Sequence, residues 1–239
     1  MKKYLYFLLF LCLFVKISFA KDTQSTAFDS AFLEISTDLA AQDIGEAILA
    51  ADSLLKTASN SLEQTKGLML LATLKEAKGD IADALNDAYA AEKIAIQDKN
   101  TEWQMRIAGY MSSTFQNIGL VAQGRAYLRK VETLNQQEEK DLLSVYIQQD
   151  KAFYLLDEKK PELALKELSV IDSLMLIPDL ANQNVAPRIL ATSYQLKGLA
   201  YLQLNESASA KESLYQALDQ ISDESSVLSG FIYVFLAKA

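Results

Sequence analysis

The sequence predicts an all-α protein: a right-handed solenoid of about five helical hairpins plus a final unpaired helix. Three observations predict it. Half the chain is apolar, yet its 239 residues include only 8 Gly and 3 Pro, a composition suited to helices. No segment shows the period-two alternation of a half-buried strand. Small residues also recur at long, near-regular intervals, as expected for stacked supersecondary units.

The first element is a targeting segment. Lys2 and Lys3 precede an apolar run from Tyr4 to Val15, and Ser18-Phe19-Ala20 puts small residues where a signal peptidase reads. This is the layout of a secretory signal peptide at residues 1–20. The run is too short for a membrane span, which needs roughly 20 apolar residues. Cleavage after Ala20 leaves 219 residues carrying 20 Lys and Arg against 31 Asp and Glu, a net charge of −11. The expected location is periplasmic or secreted, with no membrane span in the processed chain. The single cysteine, Cys12, leaves with the signal, so no disulfide forms. A surface this acidic repels phosphate backbones, and no nucleic-acid partner is expected for this segment.

Residues 21–239 read as one helical repeat domain. In four of the five units a small residue of the first helix stands twelve positions before a small residue of the second. The pairs are Ala72 with Ala84, Ser112 with Gly124, Ala152 with Ala164, and Gly198 with Ala210. Small residues at a helix crossing let two antiparallel backbones approach closely. The first unit holds Ala47, Ala51 and Leu54, but Ile35 stands where its small partner would be. The second-helix residues Ala47, Ala84, Gly124, Ala164 and Ala210 are 37, 40, 40 and 46 positions apart. The hairpins are expected at about 28–61, 65–98, 105–138, 145–178 and 191–224, with an incomplete repeat at 228–239.

Turn chemistry supports the units. Gly79-Asp80, Gly119 and the stretch Asn205 to Ser207 mark turns. Pro161 suits the first position of a helix. The stretch "LIPDLANQNVAPRI", with Pro178 and Pro187, reads as a loop before the last hairpin. Asn205-Glu206-Ser207 also has the form of a glycosylation sequon, for which turn chemistry is the simpler reading.

The residue inventory excludes most catalysis. The chain has no histidine and, once processed, no cysteine. Ser–His–Asp triads, Cys–His pairs, imidazole or thiolate metal sites and histidine bases are therefore closed to it. No Gly-rich phosphate loop appears, and no cofactor is expected. The acidic groups Glu138, Glu139 and Asp141, Asp157 and Glu158, and Asp219, Asp223 and Glu224 lack the spacing of a calcium loop. They read as solvated helix ends. The protein is not expected to be an enzyme, and only a carboxylate-based hydrolase stays open on residue types.

The unit "SYQLKGLAYLQLNESASAKESLYQALDQ", Ser193 to Gln220, resembles the tetratricopeptide repeat through Gly198, Tyr201, Ala210, Leu214 and Ala217. That resemblance implies a scaffold whose first helices line a concave groove for a peptide or protein partner. By offset, the residues implied to line it are Lys66, Thr73 and Glu76; Arg106, Ser113, Gln116 and Asn117; Gln149, Phe153 and Leu156; and Gln195, Leu199 and Gln203. Arg106 and Asn117 alone resemble the clamp that some members use for a peptide carboxylate, and Phe153 is the aromatic candidate for ligand contact.

A narrower resemblance is carried by "WQMRIAGYMSSTFQNIGLVAQGRAYLRKVETL". It is similar to the periplasmic repeats of Bacteroidota tetratricopeptide proteins, many of which continue through a membrane helix into a helix-turn-helix regulator domain. The alternative expectation is therefore a truncated sensor portion of a one-component transcription regulator whose membrane helix and DNA-binding domain are missing.

The closing stretch "SGFIYVFLAKA" reads as the first helix of a further hairpin, with Ala237 as its small residue. Its apolar residues Phe231, Ile232 and Phe235 need a cover. The two expectations are a chain cut short in mid-repeat, or an interface that builds a homo-oligomer through this helix.

Overall fold

A computed structural model describes residues 27–39, 43–135, 142–183, 186–221 and 227–239. Residues 1–20, where a signal peptide is expected, lie outside these, as do the acidic residues Glu138, Glu139, Asp141, Asp223 and Glu224. Among the described residues the chain is all helical, with no strand.

The helices are α1 (Ala27–Glu34), α2 (Ile44–Lys56), α3 (Ser61–Lys78), α4 (Ile81–Gln97), α5 (Thr101–Asn117) and α6 (Val121–Asn135). They continue with α7 (Leu142–Asp157), α8 (Pro161–Leu174), α9 (Pro178–Ala181), α10 (Ala186–Gln203), α11 (Ser207–Asp219) and α12 (Val227–Leu236). The chain divides into two compact units, Met1–Leu134 and Asn135–Ala239.

In the first unit α3 folds back along α4, and α2 packs on α3. Its two apolar clusters are built around Phe28, Phe32, Ala47, Ala51 and Leu54, and around Ala72, Ala88, Ala91, Trp103 and Ile107. In the second unit α7 pairs with α8 and α10 with α11, while α10 also touches α7 and α8. α12 lies against α11, with Ile232 buried on Leu214 and Ala217.

The small residues sit at the closest approaches. Ala47, Ala72, Ala84, Ser112, Ala152, Ala164 and Ala210 are all fully buried. Gly198 shows why nothing larger fits: a Cβ there would stand 2.6 Å from Leu214 Cγ and 3.4 Å from the Ala210 carbonyl oxygen. A second close approach is at Gly67 on α3, where an added Cβ would stand 2.9 Å from Leu55 Cδ1 of α2. In the first unit the helix that opens at Ala27 widens into a π turn over Ile35–Leu39. The widening starts at Ile35, the bulky residue standing at the small-residue position.

One turn recurs five times. The residue one past α3, and two past α4, α5, α7 and α10, is in the left-handed region: Gly79, Lys99, Gly119, Lys159 and Asn205, with φ between 54° and 97°. Each time its N–H donates to the carbonyl three residues back, and the next N–H donates to the carbonyl five back. Gly79 to Glu76 and Asp80 to Lys75 form one such pair; Lys159 to Leu156 and Lys160 to Leu155 form another. This is a Schellman closure, which satisfies the orphan carbonyls of a helix end.

Helix starts are set by side chains. Asn60 Oδ1 accepts from the Glu63 N–H at 2.9 Å, and Glu63 Oε2 accepts from the Ser59 N–H at 2.7 Å. These reciprocal bonds hold the Glu63 carboxyl below its usual range, with the Ser59 backbone bond the largest cause. Asp43 caps α2, and Asn100 caps α5. The stretch read as a loop before the last hairpin is more ordered than expected. Pro178 opens the single turn α9, and Pro187 lies inside the first turn of α10, where its missing N–H costs nothing.

Candidate functional site

The groove residues implied by the sequence are described unit by unit. In the first unit, Lys66 on α3 is paired with Asp29 on α1 at 2.6 Å. Thr73 is buried and its hydroxyl donates to the Met69 carbonyl. Arg106 is held at its helix by Glu102, at 2.6 Å, and lies over the Trp103 ring, 5.6 Å from its centroid. Gln116 is buried. Ser113 and Asn117 keep partial exposure, as do Lys66 and Arg106, although the Asn117 Oδ1 itself is buried without a hydrogen-bond partner.

Glu76 has a particular setting. It is buried on α3, yet Thr114 Oγ1 on α5 donates to its Oε2 at 3.1 Å, and the Tyr110 hydroxyl also hydrogen-bonds its carboxyl. That same hydroxyl reaches the Ala72 carbonyl at 3.2 Å. Burial pushes the Glu76 carboxyl up, and the two hydroxyls only partly offset it. Burial and the neighbouring Glu76 push the Tyr110 phenol far above its usual value. A second tie crosses from α4 to α6: Glu92 accepts from Tyr127 at 3.2 Å and pairs with Lys130 at 2.7 Å.

In the second unit Gln149 is buried and its amide donates to the Ile189 carbonyl and to Ser193 Oγ, both at 2.9 Å. Gln203 donates to the Leu156 carbonyl at 3.0 Å. These two amides tie α7 to α10. Phe153 and Leu156 are buried, with the Phe153 ring tilted against Tyr154 at 6.4 Å. Gln195 is also buried, and its Nε2 and the Gln203 Oε1 have no hydrogen-bond partner. Leu199 and Gln203 keep partial exposure. Asp150, beside Gln149, is partly buried, and loss of water alone pushes its carboxyl up to about 7.

On α12, Ile232 is a core residue, while Phe231 and Phe235 are half-buried. Phe235 packs against the α11 cluster and lies under the Lys238 ammonium. The exposed apolar residues of that helix are Tyr233 and Val234. Ala237 lies just past the helix end and is exposed.

Sequence reasoning passed over Tyr110, Thr114, Glu92, Tyr127 and Asp150. Tyr110 and Thr114 flank Ser112 by two residues on each side. Polar groups so close to a buried small residue were the available signal. Among the described residues no group of three or more His, Cys, Asp or Glu is placed to hold a metal ion, and no helix is long and apolar enough to cross a membrane. Among the described residues the raised Glu76 carboxyl is hydrogen-bonded by the Thr114 and Tyr110 hydroxyls, and burial alone raises Asp150. No protein-family model, no curated protein and no solved structure matches the chain.

Proposed function

We propose that the protein is an exported binding scaffold of the tetratricopeptide kind, which holds a peptide or protein partner along the first helices of its hairpins. The observation that carries this reading is the recurrence of one local design. Buried small residues stand twelve apart, and the same left-handed closure ends the first helix at Gly79, Gly119, Lys159 and Asn205. Repeated hairpins of this kind present ordered helix faces, and such faces suit recognition of an extended or helical segment. The partly exposed residues on those faces include Lys66 on α3, Arg106, Ser113 and Asn117 on α5, and Leu199 and Gln203 on α10.

The test is a peptide array probed with the purified chain from Lys21 onward, followed by titration of the peptides retained. Binding is expected, and Leu199→Arg or Asn117→Arg should weaken it tenfold or so, with melting temperature held. Tyr89→Ser, at an exposed site on α4, should leave it unchanged. Binding that ignores both groove substitutions would remove the reading. Export is tested separately: amino-terminal sequencing of the secreted or periplasmic form should begin at Lys21.

A further inference from the structure

At the join between α3 and α5 the Tyr110 hydroxyl stands between a main-chain carbonyl and a carboxyl. The Tyr110 hydroxyl carries one proton. It faces two acceptors, the Ala72 carbonyl at 3.2 Å and the Glu76 carboxyl. Thr114 Oγ1 supplies a second donor to Glu76 Oε2. With Glu76 ionised, Tyr110 serves one acceptor or the other. With Glu76 protonated, a directional chain closes: Glu76 donates to the Tyr110 oxygen, Tyr110 donates to Ala72, and Thr114 still donates to Glu76.

We propose that Glu76, Tyr110 and Thr114 form a proton-operated fastening that holds α5 to α3 more firmly when Glu76 is protonated.

The charged surroundings fit. From α4, Asp87 faces Tyr110, and it is tied to Lys75 of α3. Lys78 pairs with Asp80 in the turn, and Lys66 pairs with Asp29 of α1 at the other end of α3. From α5 the facing groups are the two neutral hydroxyls. No cation is among the groups acting on Glu76, so only the hydrogen bonds from Tyr110 and Thr114 offset the water its carboxylate has lost, and they offset it in part. Burial accordingly raises its proton affinity in the folded state. For an acid raised in this way, the stability contributed is full below the unfolded value, near 4.5, and is lost as pH rises through the folded value.

The experiment uses the whole chain. Glu76→Gln carries the same donor and acceptor as the protonated acid at every pH. At about pH 8 it should melt several degrees above the parent, and the gap should close by about pH 4. A variant no more stable than the parent at pH 8, or a gap that does not change with pH, overturns the proposal. Amide exchange gives a local reading on the unsubstituted protein. After correction for chemical exchange, amides of residues 105–117 should open about tenfold less often at pH 5 than at pH 8. Equal opening at the two pH values also overturns it.

Discussion

The join of α3 to α5 in the first unit and the join of α7 to α10 in the second perform one task by different chemistry. In both, a side chain crosses to a backbone carbonyl on the facing helix: Tyr110 to Ala72, Gln149 to Ile189, Gln203 to Leu156. In the first unit the crossing is shared with a carboxylic acid. In the second it is made by amides, which carry no charge at any working pH. An amide supplies donor and acceptor together, so its strength is fixed. An acid supplies the donor only when protonated. The same helix contact is thus set to depend on protons in one unit and to ignore them in the other.

The largest expected effect tests the close backbone approach of α10 to α11, the helix pair beside the second join. Gly198→Leu forces atoms into the space filled by Leu214 and displaces α10, which carries the partners of Gln149. A loss of about 3 kcal/mol is expected in urea unfolding. An unchanged midpoint would show that the crossing is looser than described.

Next comes Gln149→Leu, which removes the amide tie and leaves Ser193 without it. The expected cost is about 1–3 kcal/mol. It should be the same near pH 5 and near pH 8, measured as the difference from the parent at each. A cost that varied with pH would erase the contrast with Glu76.

Asp150 is the exception inside the neutral unit, and Asp150→Asn sharpens the comparison. The parent carboxyl is raised from 3.8 to about 7 on folding. Its contribution is therefore full below about pH 4 and lost as pH rises through about 7. The variant should be more stable than the parent by about 1–2 kcal/mol at pH 8. The two should converge in acid, as followed by thermal melting.

The smallest effect concerns the turns. Lys159→Gly places glycine where the second unit holds a side chain at φ 60°. It should stabilise by about 0.5–1 kcal/mol, while Gly79→Ala in the first unit should destabilise by a similar amount. Both are read from melting shifts.

The helical class, the small residues at the crossings and the glycine turns were legible in the sequence. Spacing alone places Gly198 opposite Ala210, because backbone approach needs only the absence of a side chain. The ties were not legible in the same way. Glu76 and Thr114 lie 38 positions apart, and Gln149 and Ser193 lie 44 apart. Choosing such partners needs the rotation of each helix about its axis, which a repeat length does not supply. The offsets implied that Gln149 and Gln195 line a groove, yet both side chains are buried among helices. Lys99 and Lys159 hid their turns because glycine is the usual signal for a left-handed residue, and neither has it. Ile232 looked like an uncovered apolar residue until α11 was seen to cover it.

The recurring closure has a consequence for how this chain can change. Its bonds run from main-chain N–H to main-chain carbonyl, so no particular side chain is required, and the demand falls on the left-handed backbone, which glycine adopts most easily. Glycine, lysine and asparagine already occupy the same position. Such a turn is inherited as a length, a break in hydrophobicity and one left-handed position that several residue types can fill at modest cost. Two descendants of this protein could therefore keep every hairpin while sharing few residues at the bends. Their kinship would then be traceable in the small residues of the crossings, where a single added methyl group meets Leu214 or Leu55.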